Sequence, residues 1–139
     1  MTTIQVDIIS VTGQVFSGPA EMVFCPAEMG EVGIAPRHAP LIARLKPGEV
    51  RVQSGGTEQM FFVNGGMLEV QPHAVTVLTD LALRAKDLDE AAALEAKQRA
   101  EELLSERKGD IDIARAQAEL AEASARLQML QRIKRRGGG

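Results

Sequence analysis

The chain has 139 residues, 45% hydrophobic and 25% charged, which is the composition of a folded protein with one domain or two small ones. A net charge of -3, no Trp or Tyr and only four Phe argue against nucleic-acid binding, and one cysteine, Cys25, with two histidines argues against a disulfide or metal site. No apolar run reaches the roughly 20 residues of a membrane span, and Met1 to Ser10 lack the basic start and apolar middle of a signal peptide, so we expect a cytoplasmic protein without membrane insertion.

Residue usage changes near Leu83. All prolines, valines and phenylalanines lie before residue 79, whereas residues 84–139 contain twelve alanines and none of those three types. Strand-forming and turn-forming residues therefore give way to helix formers. We predict a β unit over residues 1–83 and a helical unit over residues 84–139.

The β unit begins with Ile4 to Ile8, where apolar and polar residues alternate as in a strand with one buried face. Gly55 and Gly56 separate two further alternating segments and predict a tight hairpin turn, because glycine tolerates positive φ. Gly65 and Gly66 predict a second turn or a bulge. Many short strands at close spacing predict an antiparallel β-sandwich of about ten strands.

Residues 30–42 contain a short loop bracketed by Pro36 and Pro40, which presents Arg37 and His38. Proline restricts the backbone, so the loop should be stiff. Two interpretations remain open from the residues alone: a rigid connection between sheets, or a loop that contacts a partner.

Two helices are predicted after the β unit. Asp87 with Glu90 three residues later resembles a capping box, and a first helix over about 88–107 ends at Arg107-Lys108-Gly109. Asp110 begins a second helix over about 111–133, giving an antiparallel two-helix hairpin. The face predicted to approach the first helix carries small residues, namely Ala114, Ala118, Ala121 and Ala125.

The predicted hairpin is too small to be stable alone, because alanine faces bury little apolar surface. It needs a second surface, either the β unit or another protein, and a segment that can use both is a two-state element. Residues 126–139 carry five cations and no anion. These cations either complement a helix dipole or meet an anionic partner. Asp112 and Arg115 share a helix face and are expected at least to form a solvated ion pair.

No catalytic motif is present: we find no nucleophile elbow, phosphate-binding loop, dinucleotide fingerprint or paired carboxylates. We therefore predict no catalytic residues and no enzymatic activity for this chain.

Several segments together resemble one protein family, the epsilon subunits of bacterial F-type ATP synthases. The similar segments are Phe16-Ser-Gly, residues 30–41, Leu45-Lys-Pro-Gly, residues 65–72, residues 75–80 and Asp87-Leu-Asp-Glu-Ala. The resemblance covers essentially the whole chain. It implies a β-sandwich followed by a helical hairpin, in agreement with the change in residue usage.

The resemblance also implies a role. Such subunits are non-catalytic parts of the rotating central stalk of a proton-translocating synthase, peripheral to the cytoplasmic face of the inner membrane, and bind the gamma subunit and the c-ring. Glu31 and His38 would lie at this rotor interface. Arg37 stands where family members usually have glycine.

In this family the extended hairpin enters the catalytic head and inhibits ATP hydrolysis. The resemblance implies that basic residues would then meet acidic segments of the alpha and beta subunits; these are Arg126, Arg132, Lys134, Arg135 and Arg136.

Some family members bind regulatory ATP through an Ile/Leu-Asp-x-x-Arg-Ala motif, which Ile111, Asp112, Arg115 and Ala116 fit. Glu106, just upstream, also falls at a position used there. Glu122 stands where those members have a further basic residue, so we expect no required cofactor and at most a weakly bound regulatory ATP. An alternative function is a free ATP-binding sensor module, which would bind ATP tightly as an isolated chain.

Overall fold

The computed structural model describes residues 2–106 and 110–136, with their side chains except those of 106, 110–112 and 136, and in this part it contains ten strands and two α-helices. The strands are β1 (Ile4–Ser10), β2 (Gly13–Ala20), β3 (Met22–Ala27), β4 (Gly30–Ile34), β5 (Leu41–Leu45), β6 (Gly48–Ser54), β7 (Thr57–Val63), β8 (Gly66–Gln71), β9 (Ala74–Leu78) and β10 (Ala82–Arg84). The helices are α1 (Glu90–Glu106) and α2 (Asp110–Arg136), preceded by one 3-10 turn (Ala85–Asp87).

The chain divides into two compact units, Met1–Lys86 and Asp87–Gly139. The division falls between Lys86 and Asp87 rather than near Leu83, because β10 continues to Arg84 and pairs with β7. A three-residue edge strand of this kind has too short an alternating pattern to be separated from its surroundings by sequence.

The strands of the β unit form one continuous sheet in the order β10-β7-β6-β3-β5-β8-β9-β1-β2, and β4 pairs with the other side of β3. The predicted number of strands in the β unit and the predicted fold class of the chain are confirmed. One pair differs from the predicted antiparallel arrangement: β1 and β9 are parallel, with Gln5 opposite Ala74 and Ile9 opposite Leu78. The two strands are far apart in sequence, so no hairpin turn imposes the antiparallel direction on them.

The core of the β unit is built from alternate residues of each strand, as the period of a half-buried strand requires. On β1 the side chains of Ile4, Val6 and Ile8 are buried, while Gln5 between them is exposed. The same alternation buries Leu68 and Val70 on β8 and, further along, Val75 and Val77 on β9.

Two glycine turns shape the ends of the strands. Gly55 and Gly56 have φ of 60° and 80° and join β6 to β7 with Ser54 opposite Thr57, which confirms the predicted hairpin turn. Gly66 has φ of 123°, and a Cβ there would overlap the carbonyl oxygen of Leu78. Only glycine allows β8 to begin this close to the end of β9.

The helical unit is an antiparallel pair in which α1 and α2 pack against each other. The N-cap of α1 is Asp89, whose Oδ1 accepts a hydrogen bond of 3.1 Å from the backbone N–H of Ala92. The predicted cap at Asp87 is wrong, because Asp87 ends the 3-10 turn that precedes α1. The second helix begins at Asp110 as predicted and continues past residue 133, whereas the predicted end of the first helix at 107–109 lies outside the described residues.

The buried face of the hairpin is not the predicted alanine stripe. Ala114, Ala118 and Ala121 are exposed. Among the side chains that the structure describes, the buried ones are instead Ala93 and Ala100 on α1 with Ala116, Ala123 and Met129 on α2. Within each helix the buried alanines are seven residues apart, the spacing of a seam between two packed helices. Within the described residues, neither helix is long and apolar enough to span a membrane.

Candidate functional site

Glu31 lies on β4 with half of its side chain exposed, and its carboxylate is held by Arg51 on β6. The Arg51 Nη2 donates a hydrogen bond of 2.9 Å to Glu31 Oε1. Two further carboxylates approach the same guanidinium, with Glu49 at 3.4 Å from Nε and Glu58 at 3.7 Å from Nη1. The guanidinium carbon also lies 4.4 Å from the centre of the Phe24 ring. We call these five residues the Arg51 cluster.

The sequence interpretation did not identify the Arg51 cluster. Its signal is the alternation of β6, where Glu49 and Arg51 are two residues apart and therefore on one face of the strand. The partner strands are not readable in this way, because Phe24, Glu31 and Glu58 come together only through the pairing of β3, β4, β6 and β7.

The loop between β4 and β5 carries His38 and is fixed by hydrogen bonds at its own backbone. The Arg37 N–H donates to the carbonyl of Pro72 at 2.8 Å, and the His38 N–H donates to the carbonyl of Ala35 at 3.2 Å. The Nδ1 atom of His38 lies 2.7 Å from the carbonyl oxygen of Ala39. The loop is thus tied to the turn between β8 and β9.

Glu31 and His38 lie in different elements, β4 and the loop after it. Glu31 is near the beginning of β4, from which the strand runs about 10 Å to its end at Ile34, and His38 lies in the loop that follows.

Arg37 has φ of 67°, which is the left-handed region of the backbone. Among the described residues it is the one non-glycine residue with positive φ. The conformation costs a residue with a Cβ about 1 kcal/mol relative to glycine. The geometry explains why glycine suits this position and shows that arginine here is strained.

Exposed apolar side chains mark the outer face of β5, β8 and β9. Ile42 is 71% exposed, Met67 40% and Leu78 47%. Met67 is directly opposite both Leu78 on β9 and Arg44 on β5, so these side chains are cross-strand neighbours. We call Ile42, Met67 and Leu78 the apolar face. Its sequence signal is weak, because Leu41-Ile42 and Met67-Leu68 are apolar on both faces of their strands.

Cys25 is buried on β3, and its environment excludes a reactive thiol. Burial, with a smaller contribution from the charge of Glu31, raises the pKa of Cys25 to about 12. The thiolate is therefore absent at neutral pH. Within the part of the chain that the structure describes, no group of His, Cys, Asp and Glu side chains is arranged to hold a metal ion.

A groove of 440 Å³ runs along the helical hairpin. From α1 it is lined by Ala93, Ala96, Arg99 and Leu103, and from α2 by Glu119, Glu122, Ala123 and Arg126. The Arg126 Nη2 donates a hydrogen bond of 2.6 Å to Glu122 Oε1, four residues earlier on the same helix. The groove therefore offers two guanidinium groups, but two carboxylates lie beside them.

The predicted nucleotide-binding residues are only partly described. The side chains of Glu106, Ile111 and Asp112 lie outside the described residues. Arg115 is exposed and Ala116 is buried, and neither lines the groove. Arg115 precedes Glu119 by four residues, so it lies on the groove side of α2 one turn earlier.

The cations near the basic end of α2 lie in two different environments. Arg132, Lys134 and Arg135 are exposed, whereas Arg126 is half-buried beside Glu122. Lys134 Nζ lies 2.6 Å from Glu90 Oε2 at the start of α1, which joins the two ends of the hairpin. The side chain of Arg136 lies outside the described set. Arg126 thus forms its ion pair within its own helix, whereas Lys134 forms one across the hairpin.

Two family models match the chain along most of its length. Residues 3–85 match the ATP synthase delta/epsilon chain beta-sandwich domain, and residues 86–131 match the long alpha-helix domain of the same chains. The ATP synthase epsilon chain of Nitrosococcus oceani is 64% identical over 137 residues, covering 98% of each chain. That of Halorhodospira halophila is 58% identical over 138 residues with the same coverage.

The fold is also similar to that of a chain in a solved structure of the Euglena gracilis mitochondrial ATP synthase, which contains OSCP, F1 and the c-ring. The TM-score is 0.81 at 18% sequence identity, with 90% of this chain and 79% of that chain covered. At this identity the likeness concerns the fold. The full-length matches at high identity confirm the family that the sequence motifs indicated.

Proposed function

The chain belongs to the family of ATP synthase delta/epsilon chains, and we propose that it is the non-catalytic rotor subunit of a bacterial proton-translocating F-type synthase. The β unit binds the central stalk, where it contacts the gamma subunit and the c-ring and turns with them. It thereby couples rotation of the ring to ATP synthesis. The subunit is peripheral, at the cytoplasmic face of the inner membrane.

The observation that carries this proposal is the apolar face of the β unit. Exposed large apolar side chains that are neighbours on a rigid sheet are typical of a surface that another protein covers. Met67 and Leu78 are such neighbours, and Ile42 lies on the same side of β5 as Arg44, the residue opposite Met67. We assign this face to the gamma subunit, since a rotor subunit must be held by a surface that does not move during turnover.

The assignment is tested by placing a charge on the apolar face. We expect Leu78→Glu to weaken binding of the full chain to a synthase depleted of its own epsilon subunit by at least tenfold, because a carboxylate would be buried without a partner. Met67→Glu should weaken binding less, because Arg44 lies opposite and can pair with the new carboxylate. Gln59→Glu on β7, also exposed, is the matched control and should bind normally. Unchanged binding of both apolar-face variants would refute the assignment.

We further propose that the helical hairpin inhibits ATP hydrolysis when it extends into the catalytic head. Arg132, Lys134 and Arg135 support this proposal, because exposed cations at one helix end suit acidic segments of the alpha and beta subunits. Arg126 and Arg136 are part of the same proposal. Arg126 must first leave Glu122, and Lys134 must first leave Glu90, so we expect both to contribute less than Arg135.

Charge reversal at the basic end tests the inhibitory role. Arg135→Glu should raise ATP hydrolysis by the assembled synthase at least twofold without changing assembly, because one attraction to the head becomes a repulsion. Lys97→Glu on α1 makes the same change of charge away from the basic end and should leave hydrolysis unchanged. Equal effects of the two variants would contradict a specific role for the basic end.

A second candidate is ATP binding by the hairpin, favoured by the groove beside Arg99 and Arg126. Glu119 and Glu122 line the same groove and repel a triphosphate, so we propose a weak regulatory site rather than a free sensor. Titration of the full chain with MgATP should give a dissociation constant above about 0.1 mM, and Glu122→Arg should tighten it at least tenfold. Micromolar binding by the unaltered chain would favour the sensor alternative.

A further inference from the structure

We propose that Arg51 is a positioning residue, which fixes the Glu31 carboxylate in the orientation that the central stalk binds. The proposal rests on the proposed function, because it takes Glu31 to lie at the rotor interface. Its basis is the geometry of the Arg51 cluster, in which one guanidinium is surrounded by three carboxylates and one aromatic ring.

Residues other than Glu31 also hold the guanidinium of Arg51. Glu49 and Glu58 approach Nε and Nη1, and the Phe24 ring lies beneath the guanidinium carbon at 4.4 Å. Gly33, opposite Phe24, leaves room for this ring, since a Cβ there would lie 3.1 Å from Phe24 Cε1. The Arg51 side chain is only 16% exposed, so it has little freedom to change rotamer.

Glu31 is the one member of the Arg51 cluster that combines a short contact with large exposure. Its side chain is 50% exposed, against 3% for Glu49 and 24% for Glu58, and its 2.9 Å contact is the shortest of the three ion pairs. Because Glu49 and Glu58 remain beside Arg51, Glu31 can turn one oxygen toward a partner without leaving the guanidinium unneutralised.

A carboxylate already held in place loses less side-chain freedom when a partner binds it. Without Arg51, Glu31 would be an exposed side chain with several rotamers, and ordering it would weaken the interface. We expect Arg51→Gln to weaken binding to the epsilon-depleted synthase about fivefold. Lys86→Gln removes an exposed cation of the same β unit, away from the apolar face and the Arg51 cluster, and is the matched control.

A double-mutant cycle distinguishes positioning from general support of the fold. Arg51→Gln should weaken binding in the unaltered chain but have little effect when Glu31→Gln is already present, because the carboxylate through which Arg51 acts has been removed. Equal losses in both backgrounds would overturn the proposal and leave Arg51 a structural residue.

The remaining outcomes separate this proposal from the proposed function. If the unaltered chain does not bind the depleted synthase, the rotor assignment itself fails. If it binds and Glu31→Gln binds equally well, the rotor assignment stands and the positioning role is refuted. Should Arg51→Gln not fold, Phe24→Leu loosens the guanidinium while keeping every charge, and we expect about twofold weaker binding that again disappears with Glu31→Gln.

Discussion

The two units of this chain are stabilised by different amounts of buried apolar surface. The β unit buries Val, Ile, Leu and Phe from most of its strands in one core, whereas the described side chains of the hairpin that are buried are four alanines and one methionine. Each large apolar side chain contributes roughly 1.5–3 kcal/mol on burial, and alanine contributes far less. The comparison indicates a rigid β unit suited to permanent attachment and a hairpin suited to rearrangement.

The largest expected difference concerns protection of a buried thiol. Cys25 should react with a thiol reagent at least about a thousandfold more slowly in the folded chain than in urea, because labelling requires the β unit to open. In a chain carrying Cys25→Ser and Ala116→Cys, the new thiol reports on the hairpin and should be protected less than about a hundredfold. Equal protection of the two thiols would contradict the comparison.

The same cysteine gives the β unit a dependence on alkaline pH. Folding raises the pKa of Cys25 from its usual 9.0 to about 12, so the folded state retains the thiol proton that the unfolded state releases. This contribution to stability is fully present below pH 9 and is lost as the pH rises toward 12. The difference in free energy of unfolding between the unaltered chain and Cys25→Ala, measured by urea titration, should therefore shrink as the pH rises above 9.

Core and surface positions on one strand sharpen the comparison within the β unit. Leu68→Ala should lower the free energy of unfolding by about 2–5 kcal/mol, because it opens a cavity in the core. Met67→Ala, the preceding residue on the opposite face, should change it by less than about 0.5 kcal/mol. Urea unfolding measures both free energies. A similar loss of stability at the two positions would contradict the burial of only one face of β8.

Neighbouring alanines on α2 test the hairpin in the same way. Ala116 is fully buried, so Ala116→Leu should force the helices apart and cost about 1–3 kcal/mol. Ala118→Leu, on the exposed side of the same helix, should be nearly neutral. Thermal melting followed by circular dichroism at 222 nm reports unfolding of the helices. A loss of stability with Ala118→Leu alone would favour the buried alanine stripe that was predicted from sequence.

The smallest expected effect is a gain in stability at the loop between β4 and β5. Arg37→Gly should raise the free energy of unfolding by about 1 kcal/mol, because glycine adopts the positive φ without strain. Arg37→Ala keeps the Cβ and should give no gain. If Arg37→Ala stabilises the chain equally, the arginine side chain rather than the backbone is responsible.

Local patterns predicted much of this fold because they determine local geometry. The turn at Gly55 and Gly56, the change from strands to helices and the start of α2 at Asp110 all follow from short segments. The parallel pairing of β1 with β9 could not be predicted in this way. Alternation indicates which face of a strand is buried, but not which strand lies beside it.

Local sequence patterns also could not show which elements pack together to form the candidate surfaces. Motifs identified Glu31 and His38, yet only the pairing of four strands brings Arg51 to Glu31. On α2 two faces are rich in alanine, and the packing of α1 selects Ala116 and Ala123 rather than Ala114 and Ala118. Glycine preference at position 37 came from the family resemblance, and the φ of Arg37 now supplies its physical cause.

The central claim, a fixed β unit with a separable inhibitory hairpin, is tested most directly by ATP hydrolysis in a reconstituted synthase. The complex is assembled with the full chain or with a chain ending at Lys86, which keeps β10 and the whole core of the β unit. We predict that truncation raises hydrolysis several-fold while assembly and proton pumping persist. Unchanged hydrolysis with normal assembly would contradict the inhibitory role of the hairpin.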